Sequence, residues 1–257
     1  DTKTELIGAF ISQIQEILHQ QNINLNEVMG LSISCPGPLD SKSGMILETP
    51  NLTLLQNTNL SNEMKKKLHV PVCIENDANL FALGEWYNNY KDEDVIIGLT
   101  LGSGLGVGVV INGRLFVGAH GMGTEYGISP FEEGVWEDQI SIEGIEKMAF
   151  KQYSETKSPK ELFDLASNRD DDAIAIWEVF GSKLGLCISH LINLLDPAII
   201  TMGGGISNAF PYFNDSLFKV IKKYSPSFSY NNINVNVSSN PLASVHFGAA
   251  LAINQNK

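Results

Sequence analysis

Apolar residues recur at Leu6, Phe10, Ile14 and Ile17-Leu18 with the period of an amphipathic helix, which predicts a helix over 4–20. The pattern then becomes an apolar run from Val28 to Cys35, stopped by Pro36-Gly37-Pro38. That reads as a buried strand breaking into a turn. Leu60 to Leu68 predicts a helix, Val70 to Ile74 a strand, and Asn79 to Tyr87 a helix again. Alternation of this kind favours a parallel α/β sheet.

From Asp94 the pattern changes. Val95 to Leu101, Gly106 to Ile111 and Arg114 to Val117 read as three consecutive strands, with Asn112-Gly113 as a tight hairpin turn. Helices are expected over 142–153 and 172–195, the second long, apolar and ended by Asp196-Pro197. A strand over 198–202 runs into Gly203-Gly204-Gly205, followed by a helix over 211–223, a short strand near 233–237 and a small-residue helix over 244–254. The polar stretch Asn88 to Asp94 is the expected hinge. It divides the chain into a small α/β domain, 1–92, and a larger one, 93–243, with 244–257 a candidate to return to the first.

With 257 residues and 43% hydrophobic content, the chain can bury one large core or two smaller ones sharing a cleft. No stretch approaches the ~20 unbroken apolar residues of a membrane span, and Asp1 opens no signal-like segment, so a soluble cytoplasmic protein is expected. Cys35, Cys73 and Cys187 lie far apart in apolar runs, which fits buried thiols in a reducing compartment. The formal charge of −12, from 17 basic and 29 acidic side chains, argues against nucleic acid as a partner. Lys65-Lys66-Lys67 reads as a solvated helix end. ATP is not excluded, because backbone donors and magnesium hold it as much as side chains do.

Four segments could carry chemistry. In 101–108, Gly102, Gly104, Gly106 and Gly108 alternate directly after a strand, so a backbone turn could approach an anion with the Ser103 hydroxyl as a further donor. The bland reading is a glycine-rich hairpin. Gly203-Gly204-Gly205 also leaves a strand, where glycines allow a purine or phosphate to lie against backbone; an ordinary strand-to-helix turn is the alternative. Glu75-Asn76-Asp77-Ala78-Asn79 joins a strand to a helix at the end of the sheet where ligands gather. A carboxylate there can take the proton of an attacking alcohol, or Asn76 or Asp77 can simply cap the helix. Gly118 to Gly127 must be a loop, and Glu125 in it could accept hydrogen bonds from sugar hydroxyls. His120 has no partner at ligand spacing and reads as structural, so no structural zinc is expected.

In this order and spacing, the four segments resemble the ROK family of bacterial sugar kinases and sugar-responsive regulators. The resemblance runs from Cys35-Pro36-Gly37-Pro38-Leu39-Asp40 to Phe247-Gly248-Ala249-Ala250. It implies an α/β protein of two-domain actin-like ATPase (ribonuclease H-like) fold with an interdomain cleft. It implies Asp77 as general base, and Gly37, Asn76, Glu125 and Glu137 as sugar-binding residues. Gly102, Ser103, Gly104, Gly106, Gly203, Gly204 and Gly205 would contact ATP, which carries Mg2+; a homodimer is also implied. Two departures stand out. The family's opening strands with an Asp-x-Gly-Gly-Thr phosphate loop are missing, so full activity is expected of a longer chain. In place of the family's zinc site, Ile128 takes the position of a sugar-contacting histidine and Phe131 to Trp136 that of the cysteines. The expected function is ATP-dependent phosphorylation of a hexose, glucokinase-like; the alternative is a non-catalytic sugar-sensing domain of a ROK-type transcriptional regulator.

Overall fold

The structure, a computed structural model, describes residues 2–255. Helix α1 (Lys3–Gln20) begins at a capping box: the Glu5 N–H donates to the Thr2 hydroxyl and the Thr2 N–H to the Glu5 carboxylate. Its apolar stripe packs Ile7 into the N-terminal core, flanked by Leu6, Phe10 and Ile14. Strand β1 (Leu31–Cys35) is followed by a short antiparallel meander, β2 (Leu39–Asp40), β3 (Met45–Ile46) and β4 (Thr58–Asn59). Then come α2 (Leu60–Leu68) and β5 (Val72–Asn76), which pairs in parallel with β1, Cys35 opposite Asn76. The strand expected at 70–74 lies two residues later. His69 ends α2 in the left-handed conformation (φ 56°), and Val70-Pro71 make the turn because proline has no N–H for a ladder.

Helix α3 (Asp77–Asn89) leads to β6 (Val95–Leu101), β7 (Leu105–Ile111) and β8 (Arg114–Leu115), a hairpin series. The third strand is shorter than expected, although the Phe116 N–H still donates to Val109 O. A small ribbon, β9 (Pro130–Phe131) and β10 (Gly134–Val135), follows. Next are α4 (Ile142–Tyr153), α5 (Pro159–Ser167) and α6 (Asp171–Leu195). The chain closes with β11 (Ile199–Gly203), α7 (Phe210–Tyr224), α8 (Pro226–Tyr230), β12 (Asn234–Val237) and α9 (Pro241–Gln255). The large sheet has the order β12-β11-β6-β7-β8, parallel through β12, β11 and β6 and antiparallel beyond.

By length and composition α6 could cross a membrane, but Trp177, Phe180, Leu184 and Ile188 are fully buried in the core beside Phe213 and Leu217 of α7. Among the described residues, buried apolar side chains form three clusters. One lies around the large sheet and α4–α7, and one around α1, α2 and the meander. The third, with Leu80, Leu83, Ile96, Val110 and Ala252, fills the layer where α3 and α9 cover the sheet. The crossing of α3 and α9 is backbone on backbone. A Cβ on Gly84 would lie 1.7 Å from Ser244 O, and one on Gly248 would lie 1.8 Å from Leu80 O. Helix α3 is therefore held rigidly where its first residues leave β5.

Candidate active site

Asn76 is both the last residue of β5 and the N-cap of α3, with its side-chain oxygen 2.8 Å from the Ala78 N–H. Asp77 Oδ1 accepts from the same N–H at 2.8 Å. Capping occupies only the oxygen of Asn76. Its Nδ2 lies 3.3 Å from where a Cβ on Gly37 would sit, and Glu125 Oε1 is 2.7 Å from that point. Gly37, Asn76 and Glu125 thus converge from three separate segments. The lack of a side chain at 37 is what lets them do so.

The N-terminus of α3 rests on the β6–β7 hairpin because glycines leave room for it. A Cβ on Gly106 would lie 2.7 Å from the Ala78 Cβ, and one on Gly108 would lie 2.2 Å from Ala78 O. Asp77 is thereby set one residue from the hairpin. Residues 102–104 form its tight turn, with the Gly102 N–H donating to Gly104 O at 3.1 Å and Gly102 O accepting from the Ile142 N–H at 2.8 Å. The glycines singled out in the sequence divide into two kinds. Gly102 and Gly205 have nothing within 4 Å of their Cβ positions, and Ser103 is exposed. Gly106, Gly203 and Gly204 instead admit close packing; Gly204, at φ 91°, would drive a Cβ to 2.2 Å from Leu101 O. Gly104 faces Glu137, whose Oε2 lies 2.7 Å from its Cβ position. After Gly204 the chain makes a 3-10 turn over Gly205–Ala209 before α7.

The loop from Gly118 to Glu125 is docked against the β2–β3 turn. Lys42 Nζ donates to Gly118 O and Ala119 O at 2.9 and 2.8 Å, and Asp40 Oδ1 occupies the place of a Gly121 side chain. Lys42 and Asp40 were not singled out in the sequence, because only the fold brings their turn to this loop. His120 is exposed on the same loop.

Carboxylates dominate the local field. Burial, then the charges of Glu137 and Asp77, push the Glu125 carboxyl above its ordinary pKa. Asp77 is also raised, by the protein that walls its carboxylate, although the group itself opens to solvent. Burial and Asp77 together push the Cys35 thiol up to about 11. Glu125 is therefore close enough to Asp77 and to Glu137 to feel both charges. Glu75 is 2% exposed and accepts from the Asn76 N–H at 2.9 Å and from Asn79 Nδ2 at 2.8 Å. A cavity of about 20 Å³, lined by Asn76, Asn79, Thr124 and Glu125, opens there, and Asn79 Oδ1 has no partner among the described residues. The arrangement offers acceptors for several hydroxyls, a base beside them, and an open glycine turn one helix start away.

Comparison with known proteins identifies the family. The profile of the ROK family matches residues 1–255. A glucokinase of Thermotoga maritima is 32% identical over 77% of this chain and 71% of its own length. An N-acetyl-D-glucosamine kinase of Aliivibrio salmonicida is 27% identical over 87% of this chain and 80% of its own. A xylose repressor of Caldicellulosiruptor bescii is 27% identical over 93% of this chain and 65% of its own. Among solved structures, a candidate sugar kinase of Cytophaga hutchinsonii superposes with a TM-score of 0.84 at 29% identity, covering 96% of this chain and 86% of the other.

Proposed function

Because the chain belongs to the ROK family and has its actin-like ATPase fold, we propose that it is an ATP-dependent sugar kinase acting on a hexose hydroxyl in the cytoplasm. The observation that carries this reading is the placing of Asp77. It begins a helix whose Ala78 is seated on the glycine hairpin, and its charge reaches Glu125.

In this reading Asn76, Glu125 and Glu137 hold the sugar through its hydroxyls, and the flat Gly37 backbone lets the ring approach them. Glu125 and Glu137 are acceptors, which suits neutral polyols that donate. Glucose or a close relative, phosphorylated at its 6-hydroxyl, is the proposed substrate. Gly102, Ser103, Gly104 and Gly205 are the residues that would lie against ATP, since Gly102 and Gly205 present bare backbone to open space. Gly106, Gly203 and Gly204 serve the same site by shaping the hairpin and the strand exit. Magnesium, bound with the triphosphate, neutralises charge on the phosphate oxygens.

The chemistry asks little more of the protein than positioning and one proton acceptor. The sugar hydroxyl gives its proton to Asp77 while its oxygen bonds to the γ-phosphorus, and the bond from that phosphorus to the β–γ bridging oxygen breaks, releasing ADP. The raised pKa of Asp77 brings it closer to that of a working base than an ordinary aspartate's. A hinge at 88–94, between a lobe spanning 1–92 and one spanning 93–243, would close the cleft and exclude water. A homodimer is part of the same proposal.

Asp77→Asn tests the reading. Turnover, followed by coupled ADP release over a panel of sugars, is expected to fall by ~10²–10⁴ or more, with sugar binding kept within a few-fold. Normal turnover in that variant would remove Asp77 from the mechanism. The similarity to a xylose repressor supports a second reading, a sugar sensor. A sensor would bind sugar with no ADP release in either protein.

A further inference from the structure

Glu125 and Glu137 lie in a segment with almost no regular structure. Between Gly118 and Gln139 there are only the 3-10 turns Tyr126–Ile128 and Trp136–Asp138 and the two-residue strands β9 and β10. Such a segment orders itself only against something, because fixing each residue opposes its conformational entropy. Beside each carboxylate stands an aromatic ring: Tyr126 follows Glu125, and Trp136 precedes Glu137.

The rings form one stack. Phe131 lies on Trp136 with centroids 3.7 Å apart and planes within 8°, and Tyr126 is stacked beyond at 6.0 Å. Trp136 is 1% exposed. The stack sits on one face of α6, where Lys183, Cys187 and His190 recur at i, i+4 and i+7. The His190 ring meets Trp136 and Tyr126 edge-on, and its Nδ1 lies 2.7 Å from the Tyr126 hydroxyl. Lys183 Nζ donates to Gln139 Oε1 at 2.5 Å and to Glu132 Oε2 at 3.2 Å. Across the loop, the Trp136 N–H donates to Ser129 O at 3.1 Å.

We propose that the Tyr126–Trp136–Phe131 stack, anchored on α6 by His190 and Lys183, is the positioning device that sets Glu125 and Glu137 at the sugar site. None of these side chains touches the reacting atoms; they act through the two carboxylates joined to them in the chain. The proposal rests on the reading of Glu125 and Glu137 as sugar ligands. It adds what makes them a pair: two residues 12 apart in sequence share one rigid aromatic mount. The mount stands on α6, not on the lobe that carries Asn76 and Asp77, so sugar affinity can change without disturbing the base.

The test uses Trp136→Leu, the ring-conserving Trp136→Phe and the surface variant His190→Ala. Two readouts apply, amide hydrogen exchange over 124–139 and KM for sugar and for ATP. Trp136→Leu is expected to speed exchange across 124–139 at least tenfold and raise sugar KM tenfold or more, with ATP KM within twofold. Trp136→Phe should restore both to within about threefold of the wild type, and His190→Ala should fall between. Unchanged sugar KM despite faster exchange would overturn the proposal, as would an equal rise in both KM values with exchange accelerated throughout α6. Should Trp136→Leu fail to fold, His190→Ala and Tyr126→Phe decide it by the same measures. Were the wild type to bind no sugar, the kinase reading would fall, and exchange over 124–139 alone would decide whether the stack holds the segment.

Discussion

Burial, then the charges of Glu137 and Asp77, raise the Glu125 pKa in the fold above its ordinary value. The sign of the consequence follows from linkage. An acid whose pKa is higher folded than unfolded binds its proton more readily in the native state, so stability falls as pH rises through that window and stays reduced above it. Glu125→Gln removes the opposed charge. Its melting temperature should exceed the wild type's by roughly a few degrees at pH 8, and the gap should narrow as pH falls toward the ordinary value of 4.5. Sugar affinity should drop in the same variant, more than ATP affinity does. Melts at pH 8 and pH 5 check it; a pH-independent gap would exclude repulsion as the cause. At this scale the residue types were legible in the sequence: a carboxylate at a strand-to-helix junction, another in a glycine loop. The convergence of Gly37, Asn76 and Glu125 came only from the family resemblance, because nothing local links residues 37, 76 and 125. The different roles of the glycines were hidden for a similar reason, since a bare Cβ position and a crowded one look alike in sequence.

Helix α3 shows how an element positions chemistry it does not itself perform. It is clamped along its length: by Ala78 and Ala82 on hairpin glycines, by Gly84 against α9, and by Glu85, 1% exposed, which accepts from Ser238 and Ser244 at 2.5 Å each. Two glycine substitutions separate packing from ligand contact. Gly84→Ala forces a Cβ into the Ser244 carbonyl and should cost about 3 kcal/mol, on the order of ten degrees in melting temperature. Gly102→Ala meets nothing within 4 Å and should leave the melt within a degree or so, while raising ATP KM about tenfold. Equal melting losses in the two would refute the distinction. The helix itself was readable from its period, while its start was readable only from the cap offered by Asn76 or Asp77. Asp77 and Ala78 are polar and small, so the apolar pattern begins only at Asn79-Leu80, two residues inside the true boundary. Helix α5 was missed altogether, although Ser158-Pro159 with Glu161 makes a capping box, because its apolar face is only two turns long.

At the scale of the whole molecule, the alternation of strands and helices announced an α/β protein, and the contrast between 1–89 and the hairpin series after Asp94 was visible in the pattern. What no local pattern contains is the contact of the β2–β3 turn with the loop at 118–121, since it joins residues far apart in sequence. Lys42 bridges the meander to the loop that leads into Glu125 through two charged hydrogen bonds, and any motion that parts these segments, such as the proposed hinge closure and opening, must break both. The lysine is exposed, so the bonds compete with water and together are worth about 1–2 kcal/mol. That is enough to shift a closed-to-open ratio by about tenfold. Lys42→Ala should therefore raise sugar KM between threefold and tenfold, with the melting temperature lowered by no more than a few degrees. ATP KM should change less, because no atom of the bridged segments comes within 4 Å of the Gly102 or Gly205 Cβ positions. A sugar KM equal to the wild type's, measured alongside an unchanged melt, would mean that the lysine latches nothing and that the loop is held from α6 alone.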